Sequence, residues 1–175
     1  MQKRIALSAI FTILFTSAAL AQMGGGKASP PATAACDLGG KTIKTAYSSP
    51  RMKGRKIYGD LVPLGEVWRT GANDATTFVT SADVVVGGKT VPAGSYTIFT
   101  VPAADKWTLI VNKKTGEWGI PYKYESDELL RVDMKVAKLP APVEDFTIAY
   151  DKSGSGCTLR MDWETTRATV EIATK

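Results

Sequence analysis

From residue 41 onward, apolar and polar side chains alternate with a period of two in run after run. Leu130, Val132, Met134 and Val136 interleave with Arg131, Asp133 and Lys135, and Phe146, Ile148 and Tyr150 with Thr147 and Ala149. Cys157, Leu159, Met161 and Trp163 interleave with Thr158, Arg160 and Asp162, and Ala168, Val170 and Ile172 with Thr169 and Glu171. Successive side chains of a strand point to opposite faces, so each run has one buried face and one wet face. Trp107, Leu109 and Val111 follow the rule, with Ile110 as an apolar exception. Gly87-Gly88, between Val84–Val86 and Lys89–Val91, is a two-residue hairpin signal. Pro92-Ala93-Gly94 leads into the β-rich run Ser95–Val101, and Ala103-Ala104-Asp105 and Asp151–Gly156 mark further turns. No window carries a long 3.6-residue period. The pattern predicts an all-β domain, an antiparallel β-sandwich or jelly-roll-like arrangement of roughly nine to ten strands rather than βαβ units.

The N-terminus reads differently. Lys3 and Arg4 precede an almost wholly apolar run, Ile5 to Leu20, that ends in Ala19-Leu20-Ala21. A positive start, an apolar centre and a small-x-small end make a secretory signal, so residues 1–21 are expected to be cleaved and the protein exported to the periplasm or beyond. The run is short for a membrane span, and no second apolar stretch follows it, so no membrane span is expected after cleavage. Residues 22–35, rich in Gly, Ala, Ser and Pro, read as a flexible tether. Residues 36–175 are then one β domain, long enough for a substantial core. In an oxidising compartment the two cysteines, Cys36 and Cys157, are expected to form one disulfide. In the chain-entropy model a loop of about 120 residues gains about 4–5 kcal/mol from such a bridge.

Composition removes much chemistry. The sequence holds no histidine, which excludes Ser-His-Asp and Cys-His catalysis and histidine-ligated metal sites. There is no CxxC, GxGxxG or GxxxxGK[ST], so neither thiol redox chemistry nor a nucleotide cofactor has support, and no cofactor or metal is expected. Taking Lys3 and Arg4 from the 22 basic residues leaves 20 against 17 acidic ones, a net of +3 without a basic block. Nucleic acid is therefore not an expected partner. Carboxylate chemistry survives the exclusion, for instance a pair such as Glu66 and Asp74 as acid and base.

One stretch breaks the alternation. Ser48 to Ala75 holds Pro50, Gly54, Gly59, Pro63, Gly65 and Gly71; loops of this length are usually functional or carry a short helix of their own, for which Gly65-Glu66-Val67-Trp68 is the candidate. Its blocks Ser49-Pro50-Arg51-Met52-Lys53-Gly54-Arg55 and Trp68-Arg69-Thr70-Gly71-Ala72-Asn73-Asp74-Ala75-Thr76, with Pro92-Ala93-Gly94-Ser95-Tyr96 and Trp107, resemble the DUF2911 family. The resemblance runs from about Lys41 to the C-terminus. It implies an exported bacterial domain of uncharacterised function and carries over no catalytic residue.

The residues themselves suggest a ligand site in the loop 49–76. Arg51, Arg55 and Arg69 offer guanidinium forks to carboxylate, phosphate or sulfate. Trp68 offers a flat apolar face, and Asn73 and Asp74 add polar groups. The expected occupant is a small polar or anionic molecule, or a glycan. The same residues also read as scaffold: Asn73 and Asp74 closing a turn, Arg69 paired with Asp60, Glu66 or Asp74, and Trp68 plugging the core. A second aromatic group, Trp118, Tyr122 and Tyr124, reads either as a stacking platform or as a cover over the sheet. Three functions stay open at this point: a binding module, a carboxylate-dependent hydrolase or lyase for a polar or carbohydrate substrate, and an envelope-associated structural protein with no small-molecule site.

Overall fold

A computed structural model describes residues 28–175. The expected signal segment and residues 22–27 lie outside the described residues. The alternating runs become nine strands: β1 (Pro31–Asp37), β2 (Thr42–Ser48), β3 (Thr77–Thr80), β4 (Val84–Val86), β5 (Lys89–Val91), β6 (Gly94–Val101), β7 (Lys106–Asn112), β8 (Glu128–Ser153) and β9 (Gly156–Thr174). All pairings between these strands are antiparallel, in the order β1-β2-β3-β6-β7-β8-β9-β4-β5. The hydrogen-bond ladder is thus one continuous sheet, open at the β1 and β5 edges, rather than two separately bonded sheets. Pro31–Ala35, expected in the tether, pair along β2 from Pro31↔Ser48 to Ala35↔Lys44. Among the described residues a single 3₁₀ turn, Glu125–Asp127, is the helical element, and no helix forms at Gly65–Trp68.

The period-two faces converge on one core. Ile43, Phe78, Ile98, Trp107, Leu109, Met134, Phe146, Leu159, Trp163 and Ile172 are all buried in it. The sheet encloses this core because its longest hairpin is bent. The runs Leu130–Val136 and Phe146–Tyr150, separate in the sequence, belong to one strand, and Cys157–Trp163 and Ala168–Ile172 to its partner. The β8–β9 register shifts between Lys138 and Val143 and again before Thr147. In β9 the buried positions change parity between Trp163 and Ala168, and Glu164 in between adopts a left-handed φ of 52°. A bulge bends a strand and changes which face a residue meets. Here it turns the hairpin back while keeping both apolar halves toward the same core. The fold-back is tight: a Cβ on Gly156, at the start of β9, would collide with the backbone carbonyl of Ile172 near its end.

Charged residues fix the bend. Asp162 is buried, with a side chain only 5 % exposed. It accepts two hydrogen bonds from Arg167, at 2.8 and 2.7 Å, and one from Arg160. Arg160 also donates to Asp151, whose carboxyl this contact pulls below the usual carboxylate range. Such bidentate, charge-assisted bonds replace the water that a buried carboxylate loses.

The folded-back half of β8 then meets β2 through side chains. Tyr47 Oη accepts from Ile148 N at 2.9 Å, Thr45 and Tyr150 share a hydroxyl contact of 2.6 Å, and Ser49 Oγ donates to Phe146 O at 2.7 Å. The expected disulfide closes the same side, joining Cys36 of β1 to Cys157 of β9 across 121 positions of sequence. Replacing both cysteines by serine is expected to lower stability by about 2–5 kcal/mol, measured by denaturant unfolding. A loss well below 1 kcal/mol would mean that the β2–β8 contacts hold the closure alone.

Candidate functional site

The long loop between β2 and β3 lies along the open side of the bent hairpin, and its backbone is bonded to both flanks. Met52 N donates to Glu144 O at 2.9 Å, and Phe146 N donates to Pro50 O at 2.8 Å. On the other flank Trp68 exchanges both backbone bonds with Thr100, at 2.7 and 2.9 Å, and Gly65 N donates to Pro102 O. A segment without alternation cannot join a ladder for long, so it satisfies its backbone with short bridges instead.

Trp68 drives the arrangement. Its indole is buried, stacks on Trp163 at 5.9 Å with planes 17° apart, and meets Phe146 and Trp107 edge-on at 4.9 and 6.4 Å. Its Nε1 donates to Gly71 O at 3.1 Å, so the polar tip is not left unpaired. Tyr58 packs from the same loop against Trp107 and Trp163. The residues after Trp68 continue the latch. Thr70 is fully buried against the Thr100 hydroxyl, and Thr76 Oγ1 donates to Thr70 O at 2.7 Å. Gly71 passes so close to β2 that a Cβ there would lie 3.0 Å from Ser48 O.

Between this loop and the segment before β1 lies a cavity of about 340 Å³. Arg51, Lys53, Arg55 and Arg69 line it together with Trp68. So the three sequence-predicted arginines and the tryptophan do share one concave surface. Their charges are met unequally. Arg51 pairs with Asp145 at 3.0 Å. Among the described residues Arg55 donates only to backbone carbonyls, those of Met52 at 2.9 Å and Arg51 at 2.6 Å. Arg69 has one long bond, Nη1 to Trp118 O at 3.5 Å, and a buried Nε with no partner among the described residues. It does not pair with Asp60, Glu66 or Asp74; Asp60 is bonded to Lys56. Burial pushes the Arg69 guanidinium pKa down, and the charge of Asp74 partly offsets that.

Asn73 and Asp74 stand apart from the cavity. Asn73, in the left-handed region at φ 57°, donates its amide to Ser48 Oγ at 3.0 Å and to Ser29 O at 3.4 Å. It is a latch between β2 and the segment leading into β1. Asp74 is exposed. Glu66, the other carboxylate considered, is exposed as well, and neither lines the cavity. The surroundings contributed by Ser29, Leu61, Ile120 and Trp163 were not legible as site residues. They come from the segment before β1, from the loop, from a turn and from β9, and only the hairpin bend brings them together.

The second aromatic group divides. Tyr122 and Tyr124 pack on Phe99 at 4.8 and 6.0 Å, forming with Ala75 and Ile110 a small core on the opposite face of the sheet. This accounts for the apolar exception at Ile110. Burial pushes the Tyr122 hydroxyl pKa up; it donates to Glu128 at 2.6 Å and accepts from Asn112. Trp118 instead is 55 % exposed and covers the Arg69 guanidinium, 4.6 Å from its ring centre. The two tyrosines thus pack as cover over the sheet.

The chain matches a protein family of unknown function, DUF2911, over residues 29–172. The chain belongs to the DUF2911 family. Neither a curated protein nor a solved structure matches it. In this DUF2911 domain the block Trp68–Thr76 is chiefly a latch, with Arg69 as the side chain it turns toward the cavity. Glu128 anchors the cover beside it. The Arg131 guanidinium, with the Tyr122 hydroxyl, holds the Glu128 carboxyl below the usual carboxylate range. A depressed carboxyl stabilises the fold above the unfolded-state pKa of about 4.3 and loses that contribution as pH falls through the lower folded value. Glu128→Gln should cost about 1–3 kcal/mol near neutral pH, and the gap from wild type should close below about pH 4. A gap that does not change with pH would show that the charge is not what anchors Tyr122.

Proposed function

We propose that this DUF2911 protein is an exported binding module that holds a small anionic ligand between the 49–76 loop and the Trp118–Ile120 turn. The observation that carries the reading is a cavity lined, among the described residues, by four cations and by no carboxylate side chain. Only Arg51 among them has an acidic partner within 4.0 Å among the described residues. Like charges brought together around a partly desolvated space raise each other's energy, and an anion relieves that cost. Cavities of a few hundred Å³ suit small molecules.

The hydrolase or lyase reading draws less support. It needs an acid and a base beside the substrate, and the carboxylates nearest in sequence, Glu66 and Asp74, are turned to solvent. The scaffold reading accounts for Asn73, Thr70 and the Arg51–Asp145 pair, but not for Arg69, whose guanidinium is under-bonded.

Thermal-shift and calorimetric titrations with sulfate, phosphate and simple carboxylates test the proposal. Arg55→Ala and Arg69→Ala should each weaken binding about tenfold or more, while Lys106→Ala, which removes a distant charge, should not. Both arginine variants should melt near the wild type, since neither side chain is buried in the main core. Asn73→Ala, which breaks the latch, should lose about 1–3 kcal/mol of stability. Anion binding that survives both arginine substitutions would overturn the proposal.

A further inference from the structure

The lining and rim of the same cavity narrow the ligand class, on the reading that it is an anion site. Its side-chain polar groups are nearly all donors. Arg and Lys have no acceptor; among the described residues the cavity carries no amide or carboxylate side chain, and Ser29 supplies the single hydroxyl. A sugar presents hydroxyls that both donate and accept, so a glycan site needs amide or carboxylate side chains. Asn73, which offers such an amide, is already committed to Ser48 and Ser29. The ligand's polar end must be all acceptor, which describes a carboxylate, sulfonate or phosphate.

The remaining surface is apolar, and it continues past the mouth. Pro50, Val62, Trp68 and Trp163 contribute to the wall. Five large apolar side chains are exposed in the described chain: Leu61, Leu64, Val79, Trp118 and Ile120. Leu61 and Ile120 line the cavity, at 44 % and 45 % exposure. Leu64 belongs to the same loop, and Trp118 lies over Arg69. Val79 lies apart, on β3, and Leu64 is not among the residues that line the cavity. Scattered exposed apolar residues are ordinary, but a group of them at the mouth of one cavity marks a binding surface.

We infer that the cavity takes an organic anion with a compact apolar body, its acidic group on Arg55 and Arg69 and its apolar part against Leu61, Trp68 and Ile120. Neither half suffices alone. The cations without the apolar wall would favour inorganic phosphate, and the wall without the cations would favour a neutral hydrophobe. Trp118 has a part in this. It covers the guanidinium that the anion must reach, so binding exchanges a cation–π contact for an ion pair and moves the indole.

Isothermal titration of the full mature chain separates these cases with four probes: 2-naphthoate, 2-naphthalenemethanol, inorganic phosphate and glucuronate. The expected result is that 2-naphthoate binds at least about tenfold tighter than each of the others. Its affinity should fall as salt rises, and its binding should change the tryptophan emission of the wild type by more than that of Trp118→Phe, in which Trp68 still reports. Leu61→Ser with Ile120→Ser should weaken 2-naphthoate while leaving phosphate unchanged. Phosphate or glucuronate binding as tightly as 2-naphthoate would overturn the apolar-anion class and leave the anion site standing. Equal binding of the neutral alcohol would overturn the need for charge. No binding of any charged probe would overturn the site itself.

Discussion

The burial of Trp68 is the contact on which the rest of the molecule's unusual half depends. A loop from residue 49 to 76 has no alternation and no ladder of its own, and ordering it costs about 1–2 kcal/mol of backbone entropy per residue. The indole stacked on Trp163, with Phe146 and Trp107 at its edges, sets the largest single apolar gain against that cost. Truncating a buried tryptophan typically costs about 3–5 kcal/mol. Because Trp68 also exchanges backbone bonds with Thr100, the plug fixes position as well as energy. Arg69, the next residue, is consequently held at the cavity, while Thr70 is held in the interior.

The plug needs a socket, and the bent β8–β9 hairpin makes it. Trp163 and Phe146 belong to its folded-back half, and Trp107 to the strand that pairs with its first half. The Asp162 network holds the two halves at the bend, and the Cys36–Cys157 bridge ties the tip of the folded-back half to β1. Glu144, in the register break, spends its backbone carbonyl on Met52 and on the Trp163 indole, tying loop and hairpin to one point. The cavity is what remains between these parts: a rigid loop, a turned hairpin and the turn that carries Trp118.

Much of the fold was legible because burial on one face imposes a two-residue period, whatever the tertiary arrangement. Antiparallel strands, the Gly87-Gly88 hairpin and the disulfide all followed from that and from the cysteine count. The continuity of β8 and β9 was not legible, because a bulge interrupts the period just as a turn does. Pro31–Ala35 pair in β1 through backbone groups and small side chains, which composition cannot tell from a tether. In the candidate site, the cluster of Arg51, Arg55 and Arg69 was readable from one loop. The two readings of Asn73 could not be separated, because an amide that bonds a ligand and one that bonds a neighbouring strand look alike in sequence. Leu61, Ile120 and Trp163 could be placed only once the hairpin was seen to fold back.

Native-state hydrogen exchange on the unliganded protein most directly tests whether the loop is pinned as a rigid wall of the cavity. The amides of Met52, Trp68 and Thr76, which bond to Glu144, Thr100 and Arg69, are the reporters. They should be protected nearly as strongly as Ile98 in the centre of the sheet, since opening them requires extracting Trp68. Exchange of these three amides at the rate of an unstructured chain, with Ile98 still protected, would contradict a preformed wall.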